Sequence, residues 1–548
     1  MRDINLILFN GKIISGDVRN NIYEAVAIRD DRIAALGTSD SMLALKNNRT
    51  RLFNLEGKVV IPGLIDTHSH TLGASLSEMR GELFVASSVD ELLSHIREKV
   101  KQAGKGEWLY FPNTYPARLE EHRYPTMDEL DAAAPDNPVY LDGAYAGQAN
   151  SCALRIAGID EKTAPCHGQI LRDEKTGRIS GRLFLCGDLI KRHLEKPRYE
   201  KHEALDAVQK LLKGYGKVGI TSVIDACTTV EAVDIFNTLY QNGKLNIRLT
   251  YTFPAGSAES VIEESEKLIQ SIGTPPEWGK TGFIKIFLDG GILTGTSYMR
   301  KPYKKGSGIV GTENDDFCGI ILFSKEQIVE YIRKAFEAGL QMTAHCIGDA
   351  AADRFVSAYE EVNRSLPVNG RRFSVIHADF TDTRLLERIK NLGLVLISQP
   401  AWHYKDGSVL DKIFDRETMR SFLPYGDMEK LGVSVCAGSD HMVKHDSFLS
   451  QNPYNPFLGM YNLVTRKTRY GEVVYPEQKV SRQTALRMYT LYGAYASFDE
   501  NRKGSLEVGK FADMAVIDRD LYICPEEEIP FIESELTLVG GKTIWKKG

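Results

Sequence analysis

Eight short apolar segments recur through the middle of the chain, and several are followed by residues with helical periodicity. Apolar runs that alternate with amphipathic helices are typical of βα repeats over a buried parallel sheet. One connection, 325–339, shows the apolar spacing of three and four that indicates such a helix. The segments are 59–70, 219–225, 247–253, 282–289, 340–345, 372–378, 394–400 and 433–440. Eight repeats predict an α/β fold, a (β/α)8 TIM-type barrel with its active site at the carboxyl ends of the strands.

The two ends of the chain have a different pattern from the middle. Residues 5–36 and the stretch from 505 onward alternate apolar and polar positions around glycine turns, as short antiparallel strands do. We therefore predict one β-sandwich built from 1–58 and 500–548, flanking a barrel over 59–499. The first connection, roughly 78–215, is too long for one helix and predicts an inserted subdomain.

Composition excludes several classes of partner. The 68 Lys and Arg nearly balance the 73 Asp and Glu, and no long run of one sign offers a nucleic-acid surface. No apolar run reaches membrane-spanning length, and the N-terminus lacks the pattern of a secretory signal. The eight scattered cysteines are interpreted as reduced thiols. We expect a cytoplasmic protein with a small-molecule substrate and without a nucleic-acid or membrane partner, and we leave a homodimer open.

Five side chains with metal-binding chemistry stand at the ends of predicted strands. His68 and His70 close the first strand, where a spacing of two directs both imidazoles to one face. Taken alone, they are either metal ligands or histidines satisfied by hydrogen bonds. His345, His377 and Asp440 lie at the same ends of strands five, six and eight, so all five converge on one rim. Four imidazoles and a carboxylate suit zinc or a similar divalent ion.

Lys285 lies within the fourth predicted strand, which is apolar on both faces. A buried ammonium is costly unless it is paired, neutralised or modified. One interpretation is a salt bridge with Asp225 or Asp289. The other is a functional lysine that belongs to the rim site.

The pattern as a whole resembles the amidohydrolase superfamily, in particular the YtcJ-like branch of amidohydrolase family 3 that includes N-substituted formamide deformylases. The stretches that carry the resemblance are 60–70, 285–290, 345–349, 438–440 and 504–513. They span nearly the whole chain. The resemblance implies hydrolysis of a C–N bond by water that a divalent metal activates.

The resemblance also implies roles for the rim residues. His68, His70 and Asp440 would hold one ion, while His345 and His377 would hold a second. Lys285, once carbamylated, would bridge the two ions; as a free amine it would leave a single metal. Asp440 would accept the proton of the attacking water, and His345 or the metal would polarise the carbonyl.

Further residues are candidates for the substrate site. They are Trp108, Tyr145, Asp289, Trp402 and His403, with Tyr110, Tyr115 and Tyr404 as additional aromatic candidates. For any single aromatic residue, ordinary packing is the competing interpretation. The loop 290–311, rich in glycine and basic residues, is either a mobile lid or a solvated surface loop.

Three function classes are compatible with the sequence. Hydrolysis of an amide, formamide or cyclic amide leads. A metal-dependent isomerase or lyase on the same scaffold is second, and a non-enzymatic oligomeric scaffold is third, because all six candidate ligand positions are occupied.

Overall fold

A parallel eight-stranded sheet forms the centre of the computed structural model, and each strand pairs with the next along the chain. The model describes residues 3–80, 84–165, 168–173, 176–195, 199–304, 308–309 and 316–548. In chain order the strands are β1 (Leu64–Ser69), β2 (Ile220–Asp225), β3 (Arg248–Pro254), β4 (Gly279–Phe287), β5 (Gln341–Cys346), β6 (Ser374–His377), β7 (Val395–Ser398) and β8 (Ser434–Ala437).

The first and last strands meet at their carboxyl ends. Asp440 N donates to His68 O at 2.7 Å, and His70 N donates to His441 O at 2.8 Å. The Asp66 carboxylate reinforces this junction by accepting from Ser439 N at 2.9 Å and from Ser439 Oγ at 2.5 Å. The predicted α/β fold with a TIM-type barrel is therefore confirmed.

Helices cover the outside of the barrel. Around the strands they are Lys201–Lys217, Val230–Gln241, Val261–Ser271, Lys325–Glu337, Asp349–Asn363, Thr383–Asn391, Pro400–Ile413, Arg416–Arg420 and Tyr425–Leu431, and after β8 come Pro456–Thr465, Arg482–Met488 and Leu491–Ala496. The helix predicted over 325–339 is confirmed as Lys325–Glu337. It begins at a capping box formed by Ser324 and Gln327, and it buries Ile328 and Ile332 against the sheet.

Both ends of the chain contribute to a sandwich of two sheets. One sheet has the order Arg32–Gly37, Ala25–Arg29, Leu6–Phe9, Arg51–Asn54, and the other the order Lys542–Lys546, Ser534–Val539, Met514–Ile517, Val59–Pro62, Lys12–Ile14, Ile22–Tyr23. Val26 from the first sheet packs in one core with Val60 and Val516 from the second. The N- and C-terminal strands thus form a single sandwich, as the sequence predicts.

The apolar segment 59–70 is two strands rather than one. Val59–Pro62 pairs with Met514–Ile517 in the sandwich, and Leu64–Ser69 begins the barrel. Gly63 separates them, and a Cβ there would lie 2.2 Å from Thr221 Oγ1, so only glycine fits this close approach. The predicted boundary after residue 58 therefore moves to Gly63.

The inserted subdomain is shorter than the predicted 78–215. Its five-stranded sheet has the order Gln169–Arg172, Ile179–Phe184, Ala146–Ala149, Val139–Asp142, Leu109–Pro112, and its helices include Val89–Gln102, Met127–Ala133 and Ser151–Ala157. Helix Lys201–Lys217 does not belong to it, because Val208, Leu212 and Tyr215 pack into the core of the barrel. The insertion therefore ends before Lys201.

Two expectations from composition have direct structural counterparts. No helix among the described residues is both long and apolar enough to cross a membrane. No disulfide joins the seven cysteines in the described part of the chain, while Cys166 lies outside the described residues.

Candidate metal centre

His68, His70 and Asp440 meet where β1 and β8 end. Their nearest donor atoms all lie within 4.8 Å of one another. Asp440 Oδ1 is 3.4 Å from His68 Nε2 and 3.2 Å from His70 Nε2. Two imidazole nitrogens and one carboxylate oxygen facing one point are a donor set that suits zinc. We call these three residues the rim triad.

Backbone bonds and one amide side chain fix the position of Asp440. It lies three residues beyond β8 with a φ of 54°, in the left-handed region that non-glycine residues rarely adopt. Asn452 Nδ2 donates to Asp440 O at 2.7 Å and approaches Asp440 Oδ2 at 3.2 Å. The strained turn and this clamp direct the carboxylate at the two histidines.

The electrostatic surroundings put His68 and Asp440 in the protonation states that a cation requires. Burial, assisted by the nearby Lys285, lowers the pKa of His68 to about 3, so its imidazole is neutral at pH 7. Burial acts to raise the pKa of Asp440, but hydrogen bonds with His68 and His70 hold it well below its usual range. Neutral imidazoles and an ionised carboxylate are the forms that bind divalent metals. The residues present therefore fit a metal.

Lys285 is buried in β4 beside the rim triad. Its Nζ lies 3.2 Å from His68 Nε2 and 4.7 Å from the centre of the Phe287 ring. The carboxylates of Asp225 and Asp289, considered above as its salt-bridge partners, instead accept hydrogen bonds from other groups. Asp225 accepts from Thr71 N at 2.9 Å and from Thr228 Oγ1 at 2.8 Å. The ion-pair interpretation of Lys285 with Asp225 or Asp289 is therefore wrong.

His345 and His377 lie next to the rim triad but face other partners. Their ring centres are 4.5 Å apart, and His377 is 5.4 Å from the ring of His68. His345 Nε2 donates to Gly290 O at 3.1 Å, and Tyr145 Oη approaches its Nδ1 at 3.3 Å. His377 Nδ1 donates to Gln399 Oε1 at 2.8 Å, which leaves the lone pair of this ring on Nε2. Within the described residues these two do not join the metal-binding group.

Asp289 organises two loops and does not line the cavity. Its buried carboxylate accepts from Tyr298 N at 2.9 Å, Ile347 N at 3.0 Å and Gly348 N at 2.9 Å. Burial raises the pKa of Asp289 to about 7, against the effect of these backbone hydrogen bonds. It joins the loop after β4 to the loop after β5, and its role as a substrate-binding residue stays a prediction.

A cavity of about 700 Å³ of empty space, part of it open to solvent, lies above His345 and Asp440. Its wall is mostly apolar, and the inserted subdomain closes one side. The lining residues are Tyr115, Arg118, Ala144, Tyr145, Gly291, Ile292, Leu293, Thr294, His345, Ile347, Asp379, Trp402, Asp406, Leu410, Phe422, Asp440, Met442, Gln451 and Asn452. The size and the apolar wall suit a small organic molecule.

Of the predicted aromatic wall, the structure places only part at this cavity. Tyr145 and Trp402 line it, and Trp402 stacks on His377 with ring centres 4.9 Å apart. Trp108 instead packs against the core of the inserted subdomain. His403 is fully buried, receives a hydrogen bond from Asn462 Nδ2 at its Nδ1 and stacks on Phe422. Trp108 and His403 are thus not part of the described cavity wall, and their roles as substrate contacts stay predictions.

The described part of the loop 290–311 begins at the cavity and reaches the surface at Arg300 and Lys301. Residues 291–294 line the cavity. Arg300 Nη1 contacts Asp382 Oδ2 at 2.6 Å, and Lys301 Nζ contacts Glu417 Oε2 at 2.6 Å. Residues 305–307 and 310–311 lie outside the described residues, so the lid interpretation stays a prediction.

Sequence reasoning missed three polar residues of the cavity wall. Arg118 and Asp406 form a buried two-pronged ion pair, with both N–O distances at 2.8 Å, that joins the inserted subdomain to helix Pro400–Ile413. Asp379 follows His377 by two residues, and neither of its carboxylate oxygens has a hydrogen-bond partner in the part of the chain that the structure describes. Burial raises the pKa of Asp379 well above its usual range, and Asp289 adds to the rise. Only the position of Asp379, just past a predicted strand end, gave a signal in the sequence.

A barrel with imidazoles and a carboxylate at the carboxyl rim has the architecture of enzymes that use metal-assisted chemistry. Residues 51–545 match the model of the amidohydrolase family, so the chain belongs to that family and is a hydrolase. The resemblance found in the sequence is thereby confirmed.

Relatives and solved structures extend over nearly the whole chain. An N-substituted formamide deformylase of Arthrobacter pascens is 28% identical, over 99% of this chain and 98% of that protein. A putative amidohydrolase, YtcJ of Bacillus subtilis strain 168, is 25% identical over 96% of both. An uncharacterized metal-dependent hydrolase from Pyrococcus horikoshii OT3 has a similar fold, with a TM-score of 0.68 and 22% identity over 95% of this chain and 99% of that one.

Proposed function

We propose that the chain is a metal-dependent hydrolase that cleaves the C–N bond of a small amide, formamide or cyclic amide. The observation that carries the proposal is the rim triad, whose donor atoms converge and whose Asp440 lines an apolar cavity. Two relatives named as a deformylase and a putative amidohydrolase favour C–N cleavage over other hydrolyses.

His68, His70 and Asp440 would hold a divalent ion, with zinc the best match to two imidazoles and a carboxylate. When bound, such an ion lowers the pKa of water and polarises a carbonyl oxygen. Asp440 has the position of the proton acceptor, because its carboxylate is ionised and Asn452 holds it toward the cavity. It would take the proton of the attacking water and return it to the leaving nitrogen.

His345 would orient the substrate carbonyl. Its Nε2 carries a proton, which it donates to Gly290 O in this structure, and the ring faces the cavity, so Nε2 would reach the substrate carbonyl by exchanging Gly290 O for it. Burial lowers the pKa of His345 to about 3, so the imidazole is neutral at pH 7 and acts as a hydrogen-bond donor rather than as a cation. Tyr145 above it and Trp402 beside it exclude water from this side.

Lys285 gives the proposal its second part. Its Nζ is 3.2 Å from His68 Nε2, and it therefore lies beside the ion that the rim triad would hold. We propose that carbon dioxide adds to this amine to form a carbamate, an anionic ligand with two oxygens. With His345 and His377, that ligand would suit a second ion, as in two-metal hydrolytic sites. If the lysine stays a free amine, the centre holds one metal.

The test combines metal analysis with a substrate panel. Purified protein should contain one to two equivalents of a divalent transition metal and should release amine or carboxylate from some N-acyl, N-formyl or cyclic-amide compound. The control is the exposed Asp411→Asn variant, which removes a carboxylate far from the triad and should behave like the parent protein. Metal content below a few tenths of an equivalent, with no activity on adding zinc, manganese or cobalt, would contradict the proposal. Isomerisation of a compound without hydrolysis would instead indicate a metal-dependent isomerase or lyase, the second function class.

A further inference from the structure

Asp379 differs from Asp406 and Asp440, the other acidic residues of the cavity wall, in that its side chain has no partner among the described residues. It is fully buried, and neither carboxylate oxygen accepts a hydrogen bond from the described residues. An unpaired carboxylate inside a protein is costly, so a group that is absent from the protein itself is expected to compensate it. The position of Asp379 in the cavity wall makes a ligand that group.

The other charges of the wall are already engaged. Asp406 is paired with Arg118, which is the only cationic residue in the described cavity wall. Asp440 belongs to the rim triad. No cation of the described cavity wall is left for Asp379, and the carboxylates Asp406 and Asp440 in the same wall favour a positive charge at this place.

Backbone conformation and one hydrogen bond fix the turn on which Asp379 lies. His377 and Ala378 have φ values of 71° and 49°, and Leu423 N donates to Asp379 O at 2.7 Å. Two consecutive left-handed residues are costly for side chains other than glycine. Helped by this clamp, they turn the chain after β6 so that the carboxylate reaches the wall on the side of Trp402 and Phe422.

We propose that Asp379 is a specificity-determining residue that binds a protonated amine of the substrate, at a distance from the bond that is cleaved. The apolar side chains around the cavity, among them Ile347, Leu410 and Phe422, would hold the body of that substrate. The substrate class is therefore an amide or formamide whose apolar body carries a second, cationic nitrogen. This inference rests on the proposed function for the reacting end and on Asp379 for the cationic end.

The test is a binding measurement that needs no turnover. Calorimetric titration of the metal-loaded chain at pH 7 uses cyclohexylmethylammonium as the probe, with cyclohexylmethanol as its neutral isostere and cyclohexanecarboxylate as the anion. The ammonium should bind about tenfold tighter than the alcohol or better, because a charged hydrogen bond is added, and the carboxylate should bind weakest. Equal affinity for ammonium and alcohol would overturn the proposal without any variant.

A substitution assigns the preference to one residue. Asp379→Asn keeps the shape and removes the charge, so it should abolish the preference for the ammonium while leaving affinity for the alcohol within about twofold. Asp411→Asn, the same change outside the cavity on helix Pro400–Ile413, should keep the full preference. If Asp379→Asn still prefers the ammonium to the alcohol, the preference comes from Asp440, and the proposal is overturned. Loss of metal from this variant in elemental analysis would make Asp379 a metal ligand and also overturn it.

Failure of this inference is distinguishable from failure of the proposed function. If no amide is hydrolysed but the ammonium preference exists and depends on Asp379, the proposed reaction fails and the cation site stands. If amides are hydrolysed with equal kcat/KM whether or not they carry a distal ammonium, the reaction stands and the cation site fails.

Discussion

The rim triad and the pair His345 and His377 are neighbours at the same barrel rim, yet they are prepared for metal to different degrees. In the triad, the donor atoms face one another across 3.2–3.4 Å gaps. In the pair, His345 is held by protein groups at both nitrogens, and His377 at one. The comparison teaches that imidazoles on adjacent strands are not equivalent ligands, because their hydrogen bonds decide which nitrogens are free. The donor atoms of the triad already face one point, whereas a second ion requires His345 to release one of its two present partners, Gly290 O or Tyr145 Oη.

Removing a triad histidine should have the largest effect. His68→Asn takes away one of three convergent donors, and we expect metal content to fall below about a tenth of an equivalent and turnover to fall to background. His377→Asn should still retain about one equivalent, because the triad is intact. Elemental analysis of both variants checks this, with the exposed His202→Asn as control. Equal metal loss in His68→Asn and His377→Asn would break the comparison.

Asp440→Asn separates metal binding from catalysis within the triad. Asparagine tolerates the left-handed φ of 54° at this position, so the fold should persist. We expect most of the metal to remain on His68 and His70 while kcat falls by about 10²–10⁴-fold, since a general base is lost. Steady-state kinetics alongside metal analysis measures both. Near-normal turnover in this variant would show that the base is another residue.

Lys285 links the two halves of the site and should have an intermediate effect. Lys285→Ala should lose at least one metal and about 10–100-fold in turnover, as expected for a group that supports the ligands. A short carboxylate such as propionate should partly rescue a missing carbamate, but it should not rescue a missing amine that only contacts His68. Rescue therefore supports a two-metal site. Undiminished turnover in Lys285→Ala would refute the bridge.

The sequence predicted what depends on strand pattern. Apolar runs placed the strands, and the rule that parallel strands end at one rim brought His68 and Asp440 together, although 372 positions separate them. The sequence pattern did not separate the sandwich strand from β1, because the apolar run 59–70 is continuous. Only the close approach of Gly63 to Thr221 divides the two strands.

The hydrogen-bond partners of each side chain could not be predicted from the sequence pattern. Nothing in the spacing shows that Gly290 O engages His345 or that Gln399 engages His377, since these contacts come from loops of other repeats. The same holds for Trp108 and Trp402, since nothing in the sequence shows that the first packs against the core of the inserted subdomain and the second lines the cavity.

The smallest expected effect tests the pair directly and concerns Tyr145. Its hydroxyl lies 3.3 Å from His345 Nδ1, a long hydrogen bond worth about 1 kcal/mol, or roughly fivefold in rate, if it only orients the ring. Tyr145→Phe should therefore lower kcat/KM by a few fold. It should leave the metal content unchanged, because Gly290 O still holds His345 Nε2.

Tyr110→Phe removes a hydroxyl that bonds Asp142 in the same subdomain, away from the described cavity wall, and serves as the matched control. A loss of 100-fold or more in Tyr145→Phe alone would mean that the hydroxyl acts on the substrate rather than on His345. A gain of a second metal equivalent would show that Tyr145, and not Gly290, keeps His345 from binding an ion. Either result would change the comparison of the triad with the pair, because a hydroxyl from the inserted subdomain would then control the function of His345.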